Sequence, residues 1–122
     1  NARPQSIVFN PQWDRFGPLF LWNPKNYYIN GMDPMFQYAY NPALYWETHY
    51  YAQDVVTDVT CPLVACMIEE VVPTIKVLKD DFHAEYVVIE DERNPRFKWY
   101  LSSTPQFVNV FQGEKESVFR IR

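Results

Sequence analysis

Cysteine is scarce in this chain, with only Cys61 and Cys66 among 122 residues. That excludes the disulfide-dense scaffolds of small secreted domains. There are only three glycines. No Gly-rich phosphate loop, nucleophile elbow or Ser-His-Asp spacing is present. No apolar run approaches the roughly 18 residues of a membrane-spanning helix, and the longest, around Leu63–Ile68, is short. The chain is therefore expected to lie at most peripheral to a membrane. Positive charge is never concentrated. Lys and Arg occur singly or interleaved with acids, as in Asp91-Glu92-Arg93, and the net charge is −4. Phosphate backbones need a basic cluster, so no nucleic-acid partner is expected.

What is abundant is aromatic and apolar residues. Aromatics make up 18% of the chain and hydrophobic residues 48%, enough for the core of one domain. The chain opens at Asn1 rather than Met, which fits either a removed targeting peptide or a start within a longer chain. Residues 1–41 hold five of the ten prolines and ten aromatics, without sustained helical or strand periodicity. Each proline holds its predecessor extended. We therefore expect an extended arm over 1–41 and a folded domain over 42–122. Rings on an irregular segment are costly in water, at about 25 cal/mol per Å² of apolar surface. The arm must lie on its own domain or on other subunits. Trp13, Phe16, Phe20, Trp22, Tyr27, Tyr28, Phe36 and Tyr38 are the expected partner-binding residues, because aromatic enrichment marks interface cores.

Asn41-Pro42 begins a helix over 42–52, Asn capping and Pro fitting the first turn. The β-branched Val55–Thr60 reads as a buried strand. Cys61-Pro62 opens a second expected helix over 62–80, with Leu63, Cys66, Met67, Val71, Ile75 and Leu78 on one face and Pro73 kinking it. A strand follows at Tyr86–Asp91, a short helix from Asn94-Pro95 to Tyr100, a strand at Gln106–Phe111, a turn at Gln112–Lys115 and an antiparallel strand at Ser117–Ile121. Alternation followed by a terminal hairpin gives an α/β fold, a mixed sheet with flanking helices.

This pattern resembles the thioredoxin-like superfamily over roughly 42–121. Three features carry the resemblance: the kinked helix with Pro73; Val87–Asp91 followed by Asn94-Pro95 and an aromatic helix; and Ser103-Thr104-Pro105 leading into a hydrophobic strand, a Gly turn and a last strand. The resemblance implies that Pro105 is cis and faces an active site, and that a Cys-x-x-Cys pair starts the kinked helix. Ala65 and Ile68 stand there instead, with Cys66 between them. The family's usual C-terminal helix does not follow the last strand, so one sheet face needs another cover, either the aromatic arm or a partner.

Cys61 is the sharpest chemical candidate. At a helix N-terminus its thiolate would gain from unpaired N–H groups and the dipole. Cys66 lies about 140° around the helix and five residues on, too far for a disulfide, and on the apolar face. The resemblance makes Asp58 an approximate match to the family's buried proton-transfer acid. His49, His83, Cys61 and Cys66 fit no common zinc spacing, so no metal and no cofactor are expected, and no small-molecule substrate is identified. The expectation is a non-catalytic thioredoxin-like accessory subunit of a large multi-protein assembly. It resembles those of mitochondrial respiratory-chain or ATP synthase complexes, peripheral to the inner membrane. The alternatives are a thiol oxidoreductase using Cys61, with Asp58 and Pro105, and a peptide- or chaperone-binding module.

Overall fold

The computed structural model describes residues 3–31, 34–55, 59–60 and 72–122. The expectations placed on Cys61, Cys66 and Asp58, and the first part of the helix expected over 62–80, lie outside the described residues. The architecture is mixed α/β, with a five-stranded mixed sheet flanked by helices.

The sheet contains β1 (Ile7–Phe9), β2 (Tyr27–Tyr28), β5 (Tyr86–Glu90), β6 (Phe107–Gln112) and β7 (Glu116–Ile121), in the order β2-β1-β5-β7-β6. β1 runs parallel to both β2 and β5, while β5–β7 and β7–β6 are antiparallel. The helices are α1 (Phe16–Trp22, entered through a 3₁₀ turn at Trp13–Arg15), α2 (Pro34–Tyr40), α3 (Pro42–Ala52), α4 (Thr74–Lys76, continued by a π-helical turn Val77–Asp81) and α5 (Pro95–Ser103). Two short strands, β3 (Val59–Thr60) and β4 (Val72–Pro73), pair with each other in a separate two-stranded sheet.

The segment expected as an extended arm does not stand apart. Ile7–Phe9 is an interior strand, and Phe9 is buried between the rings of Tyr51, Phe82 and Phe97 at centroid distances of 5.2–6.5 Å. Three consecutive apolar residues suit a strand covered on both faces, and the nearest prolines, Pro4 and Pro11, fall in the turns on either side of it. The helix expected to run through Pro73 does not do so either. Pro73 is extended and precedes α4, where its missing N–H costs nothing. Of the strand expected over Val55–Thr60, Val59–Thr60 forms a strand outside the main sheet, Val55 is not in a strand, and residues 56–58 lie outside the described residues.

Elsewhere local chemistry matches local structure. α3 occupies the expected span, and the Asn41 side chain accepts a hydrogen bond from Leu44 N at 3.2 Å. The β5, α5, β6 and β7 elements fall within one to three residues of expectation. The cap of α5 comes from a distance. Asp54, in the left-handed region at φ 55°, accepts from Arg96 N at 3.0 Å and Phe97 N at 2.9 Å. Asn94 is fully buried and donates to Tyr51 O instead.

β5 alternates, with Val87 and Ile89 buried and Tyr86, Val88 and Glu90 half-buried on the other face. The first face carries the core: Val87, Ile89, Phe107 and Phe119 against Tyr51, Val77, Leu78, Phe97, Tyr100 and Leu101. The second face, over Val88, is approached by α1.

Candidate protein-interaction surface

Residues 13–40 meet the rest of the molecule through a few fixed points and leave most of their rings outside. The fixed points are polar. Arg15 grips Glu90 with two hydrogen bonds, at 3.0 and 2.6 Å. That pairing raises the Arg15 guanidinium and holds the Glu90 carboxyl below the usual carboxylate range. Arg93 donates to both carboxylate oxygens of Asp14, at 3.1 and 3.0 Å, and to Gln12 Oε1. Asn10 and Asn30 cross-link the ends of β1 and β2: Asn10 Nδ2 donates to Asn30 O, Asn30 N donates to Asn10 Oδ1, and Asn30 Nδ2 donates to Pro11 O. Tyr28 OH donates to Leu19 O and Asn23 O at the end of α1, and burial raises its hydroxyl pKa. Phe16 lies edge-on to Tyr28 and against Phe20. Its ring sits over Gly31, where an added Cβ would come within 3.1 Å of it. A side chain there would push the ring away.

Between α1 and the sheet lies a cleft of about 440 Å³. Pro18, Leu19 and Trp22 form one wall and Val88 and Phe111 the other, with the Arg15–Glu90 pair and Glu116 at its polar end. The sheet face over Val88 is thus partly covered by α1.

The outward surface is aromatic. Trp22 and Tyr40 are each 89% exposed. Trp13, Phe20, Leu21, Tyr27, Met35 and Tyr38 are exposed as well. A further ladder runs along α3, where Tyr38, Tyr45, Trp46, His49 and Tyr50 form successive ring contacts at 5.1–6.4 Å. Apolar surface gathered in one segment to this extent marks interaction sites.

The expected partner residues therefore divide. Trp13, Phe20, Trp22, Tyr27 and Tyr38 are free to meet a partner. Phe16 and Tyr28 are half-buried and hold the segment in place. The side chain of Phe36 lies outside the described residues. Tyr40, at the C-terminal end of α2, was not among the expected residues and is as exposed as Trp22. Pro105 departs from the resemblance: no peptide bond among the described residues is cis, and Pro105 is exposed in the turn between α5 and β6.

A second feature escaped sequence reasoning altogether. Glu47 of α3 is only 4% exposed, and its Oε2 has no hydrogen-bond partner among the described residues. Burial, then the neighbouring Asp81 carboxyl, pushes its pKa up to about 8. One helical turn on, Tyr51 is fully buried with its hydroxyl toward Thr74, and burial raises its pKa too. Glu47 reads in sequence as an early-helix acid. Its apolar neighbours at three- and four-residue spacing, Leu44 and Tyr51, are the signal that this position faces inward. Among the described residues no cluster of three potential metal ligands occurs.

No family model matches the chain, and no curated protein and no solved structure matches it either.

Proposed function

We propose that this chain is a non-catalytic, thioredoxin-like accessory subunit of a large protein assembly, docked through the aromatic surface of residues 13–40. The observation that carries the reading is that surface. Trp22 projects almost wholly into solvent from α1, whose preceding turn is tied down by the ion pairs of Asp14 and Arg15, and Tyr40 from α2, where Gln37 donates to Asn30 Oδ1. An isolated protein gains nothing from exposing such rings, whereas a partner burying them gains about 25 cal/mol per Å². The thioredoxin-like assignment is supported by the β5–α5–β6–β7 module, which follows the residue pattern that carries the resemblance. The placement in a respiratory-chain or ATP synthase complex, peripheral to the mitochondrial inner membrane, rests on the same resemblance. It accords with there being no described helix long and apolar enough to cross a bilayer.

The test is native electrophoresis of gently solubilised mitochondrial membranes carrying the tagged full chain. The expected result is migration in a high-mass band, with the pair Trp22→Ala and Tyr40→Ala releasing the chain to the free pool at an unchanged melting temperature. A chain that runs free in every fraction, or a high-mass band indifferent to both substitutions, overturns the reading.

A further inference from the structure

Among the described residues the sheet ends on one side at β6, which pairs there with β7 alone. Its outward hydrogen-bonding groups follow from the register. Arg122 N donates to Gln106 O, and Ile121 N donates to Glu85 O on the opposite side. Alternate residues of β7 thus address β6 and β5. Antiparallel pairs alternate between bonded and non-bonded, so Val108 pairs with Arg120 in a bonded pair, while Phe107 and Asn109 turn their backbone groups away from β7, the Phe107 N–H being taken by Thr104 O. Past the bulge between Asn109 and Phe111, the ladder resumes with Gly113 N donating to Glu116 O, which turns Gln112 outward as well.

Natural sheets guard such an edge with Lys, Pro or a covering element. Here Phe107–Gln112 contains no charge and no proline. Val110 and Phe111 are 48% and 57% exposed, and Trp99 stands exposed on α5, which packs beside β6. Among the described residues only the bulge tempers the edge.

The charges at its two ends identify an occupant. Arg120 is opposite Val108 and Arg122 N donates to Gln106 O, so two arginines of β7 and its end stand at the start of β6, with Lys79 bonded to the Arg122 carbonyl. Glu114 and Glu116 are exposed at its far end, beside Lys115. We propose that β6 is a self-pairing edge that joins two copies of this chain antiparallel about a two-fold axis into a continuous ten-stranded sheet. Antiparallel pairing sets the Arg120–Arg122 end of each copy against the Glu114–Glu116 end of the other. The uncharged strands meet without repulsion, and each interface patch faces its own copy, as a two-fold contact requires. This goes beyond the proposed docking through residues 13–40 and does not depend on it.

Sedimentation equilibrium of the isolated full chain tests the proposal. The expected result is a monomer–dimer equilibrium that weakens with added salt. Val110→Lys should weaken it about tenfold or more, because it places like charges near the axis. Asn109→Pro, which removes an outward donor, should do the same. Either variant suffices if it keeps the wild-type circular dichroism spectrum. Amide exchange at Asn109 should slow on dimerisation. A chain that stays monomeric at every concentration overturns the proposal and leaves the edge to a strand of another protein. So does a dimer that both edge variants leave intact, or one abolished by Trp22→Ala alone. A wild-type chain that forms the dimer but shows no high-mass assembly band would refute only the docking through residues 13–40.

Discussion

At the scale of single residues, the most consequential group is Glu47. Its carboxyl holds its proton to about pH 8 in the folded chain, against about 4.5 when exposed. The folded state therefore binds more protons than the unfolded state between these values. Its stabilising contribution is complete below about pH 4.5 and is lost as pH rises toward 8. At about 1.4 kcal/mol for each tenfold change in proton affinity, the loss is on the order of a few kcal/mol. Chemical denaturation from pH 5 to 8.5 should show stability falling with pH, and Glu47→Gln should flatten that slope. A slope unchanged by the substitution would remove Glu47 as its source. Asp91 behaves oppositely. Burial pushes its carboxyl up, but hydrogen bonds from Lys98, Ser117 and Gln112 prevail and hold it below the ordinary range, so its contribution is present near neutrality and fades in acid.

Asp54 is the residue whose loss should be felt farthest from where it sits. It satisfies two N–H groups at the start of α5 from the loop after α3. Asp54→Ala should cost about 1–2 kcal/mol in urea denaturation, the range for losing a helix cap. Arg15 and Glu90 are two-fifths and one-tenth exposed at their side chains. A double-mutant cycle to alanine should therefore return a coupling of about 1 kcal/mol or less.

Among the elements, α1 separates two roles that a list of aromatics merges. Phe16 and Leu19 turn inward and Leu21 and Trp22 outward. Phe16→Ala should lower stability by about 1–2 kcal/mol, a partial version of the cost in a closed core, while Trp22→Ala should leave the thermal midpoint within error. Equal midpoints for the two variants would contradict this division. Local signals were legible in the sequence wherever an element is short-range in its causes. Asn41-Pro42 marked the start of α3, Asn94-Pro95 that of α5, and Gln112–Lys115 the turn. Pro73 misled because its neighbours carry a helical apolar period, whereas proline at a helix start and proline within a helix differ only in what precedes them. Cap and core roles also diverged at Asn94, whose buried side chain serves Tyr51 while a residue forty positions away caps the helix. No local pattern encodes that exchange.

For the whole molecule, the position of β1 governs what can be removed. Its three residues sit between β2 and β5, and Phe9 is at the centre of the core. A chain lacking residues 1–41 should fail to fold cooperatively, losing near-ultraviolet dichroism and a sigmoidal melt. Retention of both would show that the sheet closes without β1. The partner surface therefore has to be probed by point substitutions. The sequence hid this strand because Ile7-Val8-Phe9 is three residues long, too short for any period to register, and its partner lies far along the chain. The same distance explains why a domain boundary at residue 41 looked reasonable: composition changes there, but the core does not.

That distance also bears on how the protein comes into being. Ser6 reaches Glu85 across 79 positions, and until β5 exists β1 can pair only with the two residues of β2 among its strand neighbours. At about 5–20 residues per second, a ribosome delivers β5 several seconds after β1 has emerged. During that interval the ring-laden segment from Trp13 to Tyr40 has no sheet to rest on. Chaperone capture of nascent chains should accordingly peak before Tyr86 is synthesised and fall once the β6–β7 hairpin has cleared the exit tunnel. The strand at the centre of the core is made first and waits longest for its neighbours.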